Sequence, residues 1–400
     1  MTHNREYNQA KMIQFFQNGC KAASQPLQFG LELEHFVVHN ESGRSLPYKG
    51  EHGIEALMNE LKILYSDFFY EQGHLIGLSR RDLTVSLEPA AQLEISITPQ
   101  QDIEKIAEIY QKFYEEIMSV LKTWDCRLVT FGYQPKSRAE ELELIPKKRY
   151  EFMNQYFAGI GVYGCQMMRG TAATQVSIDY YSEEDFGKKY KVAVMLTNVF
   201  GRLCLNTPAY EGELLPDKLL EGEVPRFIIW NRTDNKRVDI APFLKDGTID
   251  FKGYTDFVMQ APVIVELQDE SEFFSTRTIG EICDERELSE EEIKHALSMV
   301  FPMIRLKNYM EIRLADSMPI DSVLCYILII KGLFTDIDDT LACLQDGDES
   351  KSLSDCINEC LAIVYKHISP EETQYVMQFK EELQHGTILK RDREVMQEGN

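Results

Sequence analysis

Acidic residues alternate with apolar residues along several short segments of this chain, a pattern typical of β-strands with one polar and one apolar face. In the segment Gly30–Glu34, a single leucine separates Glu32 from Glu34. Because successive strand side chains point to opposite faces, both carboxylates are predicted to share one face of a sheet. The other segments of this kind are Ser86–Pro89, Gln92–Ser96, Gln175–Asp179 and Tyr309–Arg313. The pattern predicts a sheet that is apolar towards its helices and lined with carboxylates on its concave face.

Carboxylates gathered on one face repel each other unless hard cations such as Mg²⁺ neutralise them. The candidate metal ligands are Glu32, Glu34, Glu88, Glu94 and Glu311. For each glutamate alone, a solvent-facing position on a half-buried strand is the alternative. That alternative is weaker for the whole set, because the sequences that flank these glutamates are apolar or are typical of tight turns. The pattern therefore suggests a site for a metal-bound phosphate and leaves the solvent-facing alternative open.

Helix and strand signals occur in mixed order along the chain. Capping patterns predict helices that start near Thr98–Gln101, Ser289 and Ser369. Buried helices are predicted at Tyr190–Leu205 and Asp321–Leu333, with a strand as the alternative for the second segment. Neither G-x-G-x-x-G nor G-x-x-x-x-G-K-[ST] occurs, so Rossmann and P-loop folds lack their main support. The predicted fold class is α+β, with a mostly antiparallel curved sheet and helices packed behind it.

Charge and composition restrict the partners. The formal net charge is −23, which disfavours nucleic acid as a partner. The longest apolar run, Val323–Ile330, is far too short to cross a membrane, and the first residues lack a signal-peptide core, so a cytoplasmic protein is expected. The 9 cysteines are dispersed without a C-x-x-C pair, which predicts reduced thiols.

The basic residues allow two interpretations. They are Arg80, Arg81, Lys136, Lys147, Lys148, Arg149, Arg169, Arg226, Arg232, Arg237, Arg305, Lys307 and Arg313. In so acidic a chain each can be the ion-pair partner of a neighbouring carboxylate, or it can bind substrate carboxylates and phosphates. The polar loop predicted at Trp230–Arg237 is likewise either a plain turn or a place where Trp230 stacks on a purine. His35 is predicted to point away from the carboxylates.

Read together, these segments resemble the plant and proteobacterial type of glutamate–cysteine ligase. Residues 86–96 read SLEPAAQLEIS, where the family has SLEPGGQFELS. The matching segments are Gly30–Phe36, Ser86–Ser96, Gly132–Lys136, Pro146–Met153, Met167–Asp179, Asn206–Gly212, Arg226–Arg237 and Phe301–Asp316. They occur in one order and cover most of the chain.

The resemblance implies an ADP-forming enzyme that makes γ-glutamylcysteine from ATP, glutamate and cysteine, the first step of glutathione synthesis. It also implies a glutamine-synthetase-like sheet that holds Mg²⁺ on the five glutamates Glu32, Glu34, Glu88, Glu94 and Glu311. Residues 1–345 would form the ligase domain, and residues 346–400 a helical segment packed on it. A monomer or a homodimer is expected.

Further roles come from the resemblance, residue by residue. Arg313 and Arg169 are expected to take part in catalysis. The expected substrate-binding residues are Arg149 and Arg226, which would bind the glutamate α-carboxylate, together with Met168, Thr171 and Gln175. The residues expected to face ATP are Trp230, Arg237 and Lys307, beside Arg313.

Some positions depart from the family pattern. Ala90 and Ala91 replace paired glycines. A positive φ in this turn therefore costs more free energy than it would with glycine. The segment around Gly170 differs at the expected amino-acid pocket, and residues 268–295 have no counterpart that aligns. A γ-glutamyl ligase of the same mechanism with another amine acceptor is therefore the alternative. A non-catalytic metabolite-binding relative is a further alternative.

Overall fold

The computed structural model describes residues 3–216, 223–268, 271–345 and 353–384. The strands are β1 Phe29–His39, β2 Asp67–Glu71, β3 His74–Arg80, β4 Leu83–Leu87, β5 Leu93–Gln100, β6 Cys126–Val129, β7 Ala173–Ile178, β8 Ala209–Tyr210, β9 Glu213–Leu214, β10 Pro262–Gln268, β11 Ser271–Thr278, β12 Ile304–Leu306 and β13 Met310–Asp316. A nine-stranded antiparallel sheet runs in the order β12-β13-β7-β1-β5-β4-β3-β2, with β6 paired to β1. Two separate hairpins are formed by β8–β9 and β10–β11.

Helices pack against this sheet and around its cavity. The α-helices are His3–Gly19, Ile54–Leu61, Ile103–Leu121, Lys148–Phe157, Gly164–Gly170, Glu183–Met195, Thr197–Leu203, Pro225–Asn231, Asn235–Val238, Phe251–Gln260, Ile279–Glu285, Glu290–Leu297, Ile320–Thr335, Ile337–Gln345, Leu353–His367 and Pro370–Gln384. The mixed helix and antiparallel-sheet class predicted from the sequence is confirmed.

Strand β1 at the centre of the sheet separates the two faces. Leu31 and Leu33 are buried in the main core. The helix Ile103–Leu121 packs against the neighbouring strands β5 and β6. His35 lies on the same side, within hydrogen-bond distance of the Leu93 carbonyl and the Tyr110 hydroxyl. The glutamates of β1 therefore point to the opposite face, as their alternation predicts.

The helix start predicted at Thr98–Gln101 is wrong. Strand β5 continues to Gln100, which pairs with Phe29 of β1. The helix begins at Ile103, and the Asp102 side chain accepts a hydrogen bond from the Glu104 N–H at 2.9 Å. Pairing with the central strand satisfies backbone groups that a helix starting at residue 99 would have removed from the sheet.

Two other local predictions are corrected. The buried helix predicted at Tyr190–Leu205 is divided into Glu183–Met195 and Thr197–Leu203. The polar loop predicted at Trp230–Arg237 is largely helical, because Trp230 lies in the helix Pro225–Asn231 and Arg237 in the helix Asn235–Val238. Pro225 occupies the first turn of its helix, a position that does not need its missing N–H.

The final helices pack on the long buried helix Ile320–Thr335. Lys331 Nζ binds Glu372 at 2.7 Å, and the Tyr375 hydroxyl donates to Asp321 at 3.0 Å. The predicted division at residue 345 stays a prediction, since residues 346–352 and 385–400 lie outside the described chain. None of the helices described here is both long and apolar enough to span a membrane, and none of the nine cysteines forms a disulfide.

Candidate active site

A cavity of about 300 Å³ lies against the face of the sheet that carries the glutamates. The sequence-predicted site residues that line it are Glu32, Glu34, Glu88, Glu94, Arg149, Met168, Thr171, Gln175, Trp230, Lys307 and Arg313. The fold thus gathers, at one cavity, residues from strands, helices and turns that are up to about 280 positions apart in the chain.

Glutamates from adjacent strands form the floor. Glu34 of β1 stands opposite Glu94 of β5, and Glu32 stands opposite Ser96 of β5 and Gln175 of β7. Burial, followed by repulsion from Glu311 and Glu94, raises the pKa of Glu32 to about 7. Both removal from water and the neighbouring carboxylates therefore disfavour the ionised form of Glu32.

Glu34 and Glu94 are held by hydrogen bonds. Glu34 accepts from the Ala173 N–H and from Gln175 Nε2, both at 2.9 Å. Glu94 accepts from the Ser86 hydroxyl at 2.8 Å. Burial, and then the charge of Glu88, raises the pKa of Glu34 well above its usual range and that of Glu94 to about 7.

Glu88 reaches the cavity from the turn between β4 and β5. Its carbonyl accepts from the Ala91 N–H at 2.9 Å, and Ala91 has φ 64°, in the left-handed region. The side-chain oxygen of Gln92 accepts from the Ala90 N–H at 2.8 Å and further shapes the turn. The alanine that replaces a family glycine therefore adopts the positive φ that glycine adopts without strain.

Glu311 does not line the cavity and is fully buried behind it. Arg305 donates to both of its carboxylate oxygens at 2.7 and 3.0 Å, and Lys307 and Arg313 add contacts at 3.0 and 2.9 Å. Burial opposes its ionisation, but the three cations hold the pKa of Glu311 well below the usual range. Glu311 thus acts as the anchor of a cation cluster, defined here as Arg305, Lys307 and Arg313.

Gln175 and Trp230 connect this cation cluster to the floor. Gln175 donates to Glu34 and accepts a hydrogen bond from Arg313 Nη1. The Arg313 guanidinium lies 5.8 Å from the Trp230 ring centroid, within the range of a cation–π contact. Arg313 is therefore fixed between a carboxylate, an amide and an aromatic ring.

Arg149 and Lys147 form a basic wall beside Glu88. Arg149 donates from Nη1 to the Ser298 hydroxyl at 3.0 Å and from Nη2 to the Ser298 carbonyl at 2.9 Å. Within the described chain no carboxylate forms an ion pair with Arg149, although its guanidinium is largely removed from water and burial lowers its pKa. A cation held by neutral acceptors in a cavity is suited to bind an anionic ligand.

Met168 and Thr171 belong to a further wall of the cavity, and both are almost fully buried. Gln92 Nε2 donates to the backbone carbonyls of both residues, at 3.3 and 3.2 Å. Gly170 between them faces away, because a Cβ there would lie 2.4 Å from the Tyr133 ring. The departure from the family pattern at Gly170 therefore lies behind the wall and outside the cavity lining.

Three predicted arginines lie outside the cavity. Arg226 pairs with Asp316 at 3.0 Å, Arg237 pairs with Asp234 at 2.7 Å, and both arginines are buried. Arg169 donates to the Leu142 carbonyl and to Asn154 Oδ1, each at 2.7 Å. All three arginines are thus held by contacts within the protein, and the predicted contacts of Arg226 with glutamate, of Arg237 with ATP and of Arg169 with reacting groups stay predictions.

Other polar residues line the cavity as well. Ser86, Gln92, Tyr150 and Ser298 were not assigned a role from the sequence, and Lys147 and Arg305 were named only in the general set of basic residues. Arg305 had a usable signal, because Arg305 and Lys307 alternate with Leu306 as the glutamates do in β1. Ser298 had none, since its contact with Arg149 spans 149 positions.

The donor set at the floor suits Mg²⁺. Among the described residues no three carboxylates, imidazoles or thiols are grouped as a complete metal site. Mg²⁺ does not need such a group, because it is usually held by one or two carboxylates together with water and substrate phosphate oxygens. The raised pKa values of Glu32 and Glu94 indicate that a cation would lower the repulsion at the floor.

A second cavity of about 310 Å³ meets the first at Glu32. Its floor consists of small residues from three neighbouring strands, namely Gly30, Ser96 and Ser177. Tyr309, Asn308 and Lys21 are among the other residues that line it, close in the chain to Lys307. Glu32 therefore stands between two cavities on the same face of the sheet.

Comparison with known proteins gives one consistent family. The model of glutamate-cysteine ligase family 2 matches residues 28–385. The chloroplastic glutamate–cysteine ligase of Arabidopsis thaliana is 29% identical over 345 residues, which are 84% of this chain and 64% of that protein. The Brassica juncea protein of the same name is 29% identical over 318 residues, 77% of this chain and 60% of that one. The chain thus spans less than two thirds of the length of these curated relatives.

A solved structure supports the fold. The crystal structure of a glutamate–cysteine ligase from Francisella tularensis in complex with AMP matches with a TM-score of 0.55 and 13% sequence identity. The match covers 94% of this chain and 90% of that one. At this identity the likeness concerns the fold.

Proposed function

The chain belongs to glutamate-cysteine ligase family 2, and we propose that its cavity joins the γ-carboxylate of L-glutamate to the amine of L-cysteine at the expense of ATP. The observation that carries this proposal is the cavity itself. It holds a crowded carboxylate floor, a cation cluster anchored by Glu311, and Arg149, which has no carboxylate partner within the described chain. Two anions, a carboxylate and a polyphosphate, can meet only where such cations and metal-binding oxygens converge.

The proposed first step is attack of the glutamate γ-carboxylate oxygen on the γ-phosphorus of ATP. The bond to ADP breaks, and γ-glutamyl phosphate forms. The cation cluster would bind the transferring phosphoryl group, since Arg305, Lys307 and Arg313 surround one carboxylate next to the cavity. Fixed positive groups of this kind stabilise the charge that spreads over the phosphoryl oxygens. Mg²⁺, held by Glu32, Glu34, Glu88 and Glu94, would screen the repulsion between the two anions.

The proposed second step is attack of the cysteine amine on the acyl carbon, which breaks the bond to phosphate, releases phosphate and a proton, and leaves the amide bond. No protein nucleophile is needed for either step. Arg149 would bind the glutamate α-carboxylate, and Met168 and Thr171 would shape the wall around the amino-acid substrates. Because Gly170 lies behind that wall, the departure there does not favour another amine acceptor.

The second cavity is the proposed place of the nucleoside of ATP. It adjoins Glu32 and Lys307, so a triphosphate could reach from it to the floor and the cation cluster. Small side chains at Gly30, Ser96 and Ser177 leave room for a ring system there. AMP in the Francisella tularensis structure supports nucleotide use in proteins with this fold.

Several broader assignments remain proposals of the same kind. They are a glutamine-synthetase-like catalytic sheet, a 1–345 ligase domain with a packed helical C-terminal segment, a monomer or homodimer, and a cytoplasmic location. The plant relatives named above are described as chloroplastic.

The test is ADP release with Mg²⁺, ATP and L-glutamate, with and without L-cysteine. The expected result is cysteine-dependent ADP release together with a product of the mass of γ-glutamylcysteine. ADP release with other amines, and not with cysteine, would overturn the acceptor and keep the mechanism. No release with any amine, from protein that binds ATP, would favour the non-catalytic alternative.

A further inference from the structure

Arg149 depends on one residue for its position. Its two hydrogen bonds within the described chain both go to Ser298, one to the hydroxyl and one to the backbone carbonyl. A guanidinium has five N–H donors, so most of its donors remain for a ligand. Because no ion pair holds it, the orientation of Arg149 is set by the position of Ser298.

Ser298 is itself fixed by a chain of hydrogen bonds. Its hydroxyl donates to the His295 carbonyl at 2.7 Å, at the end of the helix Glu290–Leu297. The hydroxyl proton is thereby used, so its oxygen is oriented as an acceptor for Arg149. The His295 Nε2–H donates to the Val265 carbonyl of β10 at 2.6 Å. The Arg149 contact is therefore connected to the β10–β11 hairpin through two further hydrogen bonds.

His295 keeps this connection across the physiological pH range. Burial, followed by the charge of Arg149, lowers its pKa to about 4. The ionisable groups around it include Arg149 of the facing helix and Glu292 of its own helix, and Glu266 of β10 and Arg286 line the same small cavity as His295. The imidazole therefore stays neutral and does not add a second charge next to Arg149.

The hairpin also contacts the helix that carries Arg149. Lys148 Nζ donates to the Glu272 carbonyl of β11, and the Phe152 and Phe274 rings lie 6.1 Å apart. Both the start and the middle of the helix Lys148–Phe157 thus rest on this hairpin. The hairpin and the helix Glu290–Leu297, called here the hairpin–helix unit, include residues that found no counterpart in the sequence resemblance.

We propose that Ser298 is a positioning residue that holds Arg149 ready for the carboxylate of the amino-acid substrate, and that the hairpin–helix unit thereby sets the affinity for that substrate. This inference rests on the proposed function. Ser298 does not act on the reacting atoms. Loss of the Ser298 hydroxyl should weaken the contact of Arg149 with the substrate carboxylate equally in the ground state and in the transition state. Such a change raises KM and leaves kcat nearly unchanged.

The test compares three variants. Ser298→Ala removes the hydroxyl and is expected to raise the KM for L-glutamate about tenfold, the effect of one hydrogen bond to a charged group, with a much smaller change in kcat. Ser298→Thr keeps a hydroxyl and should restore the KM. Ser289→Ala is the matched control, because Ser289 caps the opposite end of the same helix by accepting from the Glu292 N–H at 3.1 Å. It should leave the KM unchanged even if it lowers stability.

The outcomes separate this inference from the proposed function. An active wild type with an unchanged KM in Ser298→Ala would overturn the role of Ser298 and leave the function standing. If the wild type turns over no amine, calorimetric titration with L-glutamate decides. Equal affinity of wild type and Ser298→Ala would overturn the inference, and no binding to the wild type would overturn both.

Discussion

Glu34 and Glu94 stand directly opposite each other on neighbouring antiparallel strands, and both side chains point towards the same cavity. Directly opposed strand residues have closely spaced Cβ atoms, and like charges in such pairs are destabilising. The fold tolerates this pair with a hydrogen bond from Ser86 to Glu94 and two hydrogen bonds to Glu34. The arrangement is unfavourable for stability, and it is consistent with selection for binding cations.

The first prediction concerns pH. Glu94 has an ordinary value of 4.5 and a folded-state pKa of about 7, so between these values the folded protein holds a proton that the unfolded chain has lost. The contribution of Glu94 to the free energy of unfolding is therefore at its maximum below about pH 4.5, and it is lost as the pH rises to about 7. Glu94→Gln should gain stability relative to wild type over this interval, by more than about 1 kcal/mol. Urea unfolding at pH 5 and pH 7.5 without divalent ions measures the gain.

The exposed Glu41 supplies the control for that experiment, since Glu41→Gln should show no such pH-dependent gain. Mg²⁺ should stabilise the wild type at pH 7.5 more than it stabilises Glu94→Gln. An equal response of the two proteins to Mg²⁺ would remove Glu94 from the proposed metal site.

The second prediction separates two glutamates that the sequence placed in one group. Glu32→Gln should lower kcat at least about 100-fold, the scale of losing one charge-stabilising group, while the protein stays folded. Glu311→Gln should in addition lower the free energy of unfolding by about 3–5 kcal/mol, because three cations lose their buried partner. Urea unfolding together with kcat tests the difference, and equal stability of both variants would contradict the anchoring role of Glu311.

The third prediction concerns the turn that carries Glu88. Ala91 has φ 64°, and a left-handed conformation costs a residue with a Cβ about 1–2 kcal/mol. Ala91→Gly should therefore stabilise the protein by about 1 kcal/mol, after the greater flexibility of glycine in the unfolded chain is included. Ala90→Gly is the control, because Ala90 does not have positive φ and its replacement by glycine relieves no backbone strain. A loss of stability in Ala91→Gly would show that the turn is not strained.

The fourth prediction concerns Arg226. Strand β13 has an irregular register between Ile312 and Ala315, and Arg226 Nη2 donates to the Arg313 carbonyl at 2.8 Å and to the Ala315 carbonyl at 3.0 Å. Arg226→Met should lower the free energy of unfolding by about 3–5 kcal/mol, because Asp316 would be left as a buried unpaired charge. Urea unfolding measures this, and adding Asp316→Asn should recover part of the loss. Unchanged stability with weaker glutamate binding would instead make Arg226 a substrate ligand.

The fifth prediction tests the second cavity. Ser177→Leu places a larger side chain on its floor and should weaken ADP binding at least about tenfold, because a bulky group occupies the space of the ligand. The affinity for L-glutamate, measured on the same protein, is the internal control and should stay unchanged. Unaltered ADP binding would place the nucleoside elsewhere.

Local patterns were sufficient wherever the deciding physics is local. The alternation in residues 30–34 predicted which side chains of β1 share a face, because the side-chain period of a strand does not depend on the rest of the fold. The start signals at Ser289 and Ser369 were correct for the same reason, since a helix cap is formed within four residues. The Thr98 signal was wrong because pairing with the distant Phe29 extended β5 through it.

The sequence by itself determined the polar and apolar faces of the strands, the mixed helix and sheet class, and the family through its ordered motifs. Only the tertiary structure decided which acceptor each arginine meets. Arg149, Arg226 and Arg237 have identical side chains, and yet Arg149 contacts a serine whereas Arg226 and Arg237 contact buried aspartates. The Arg149–Ser298 and Arg226–Asp316 contacts join positions about 90 to 150 residues apart, and a guanidinium binds whichever acceptor the fold brings within reach.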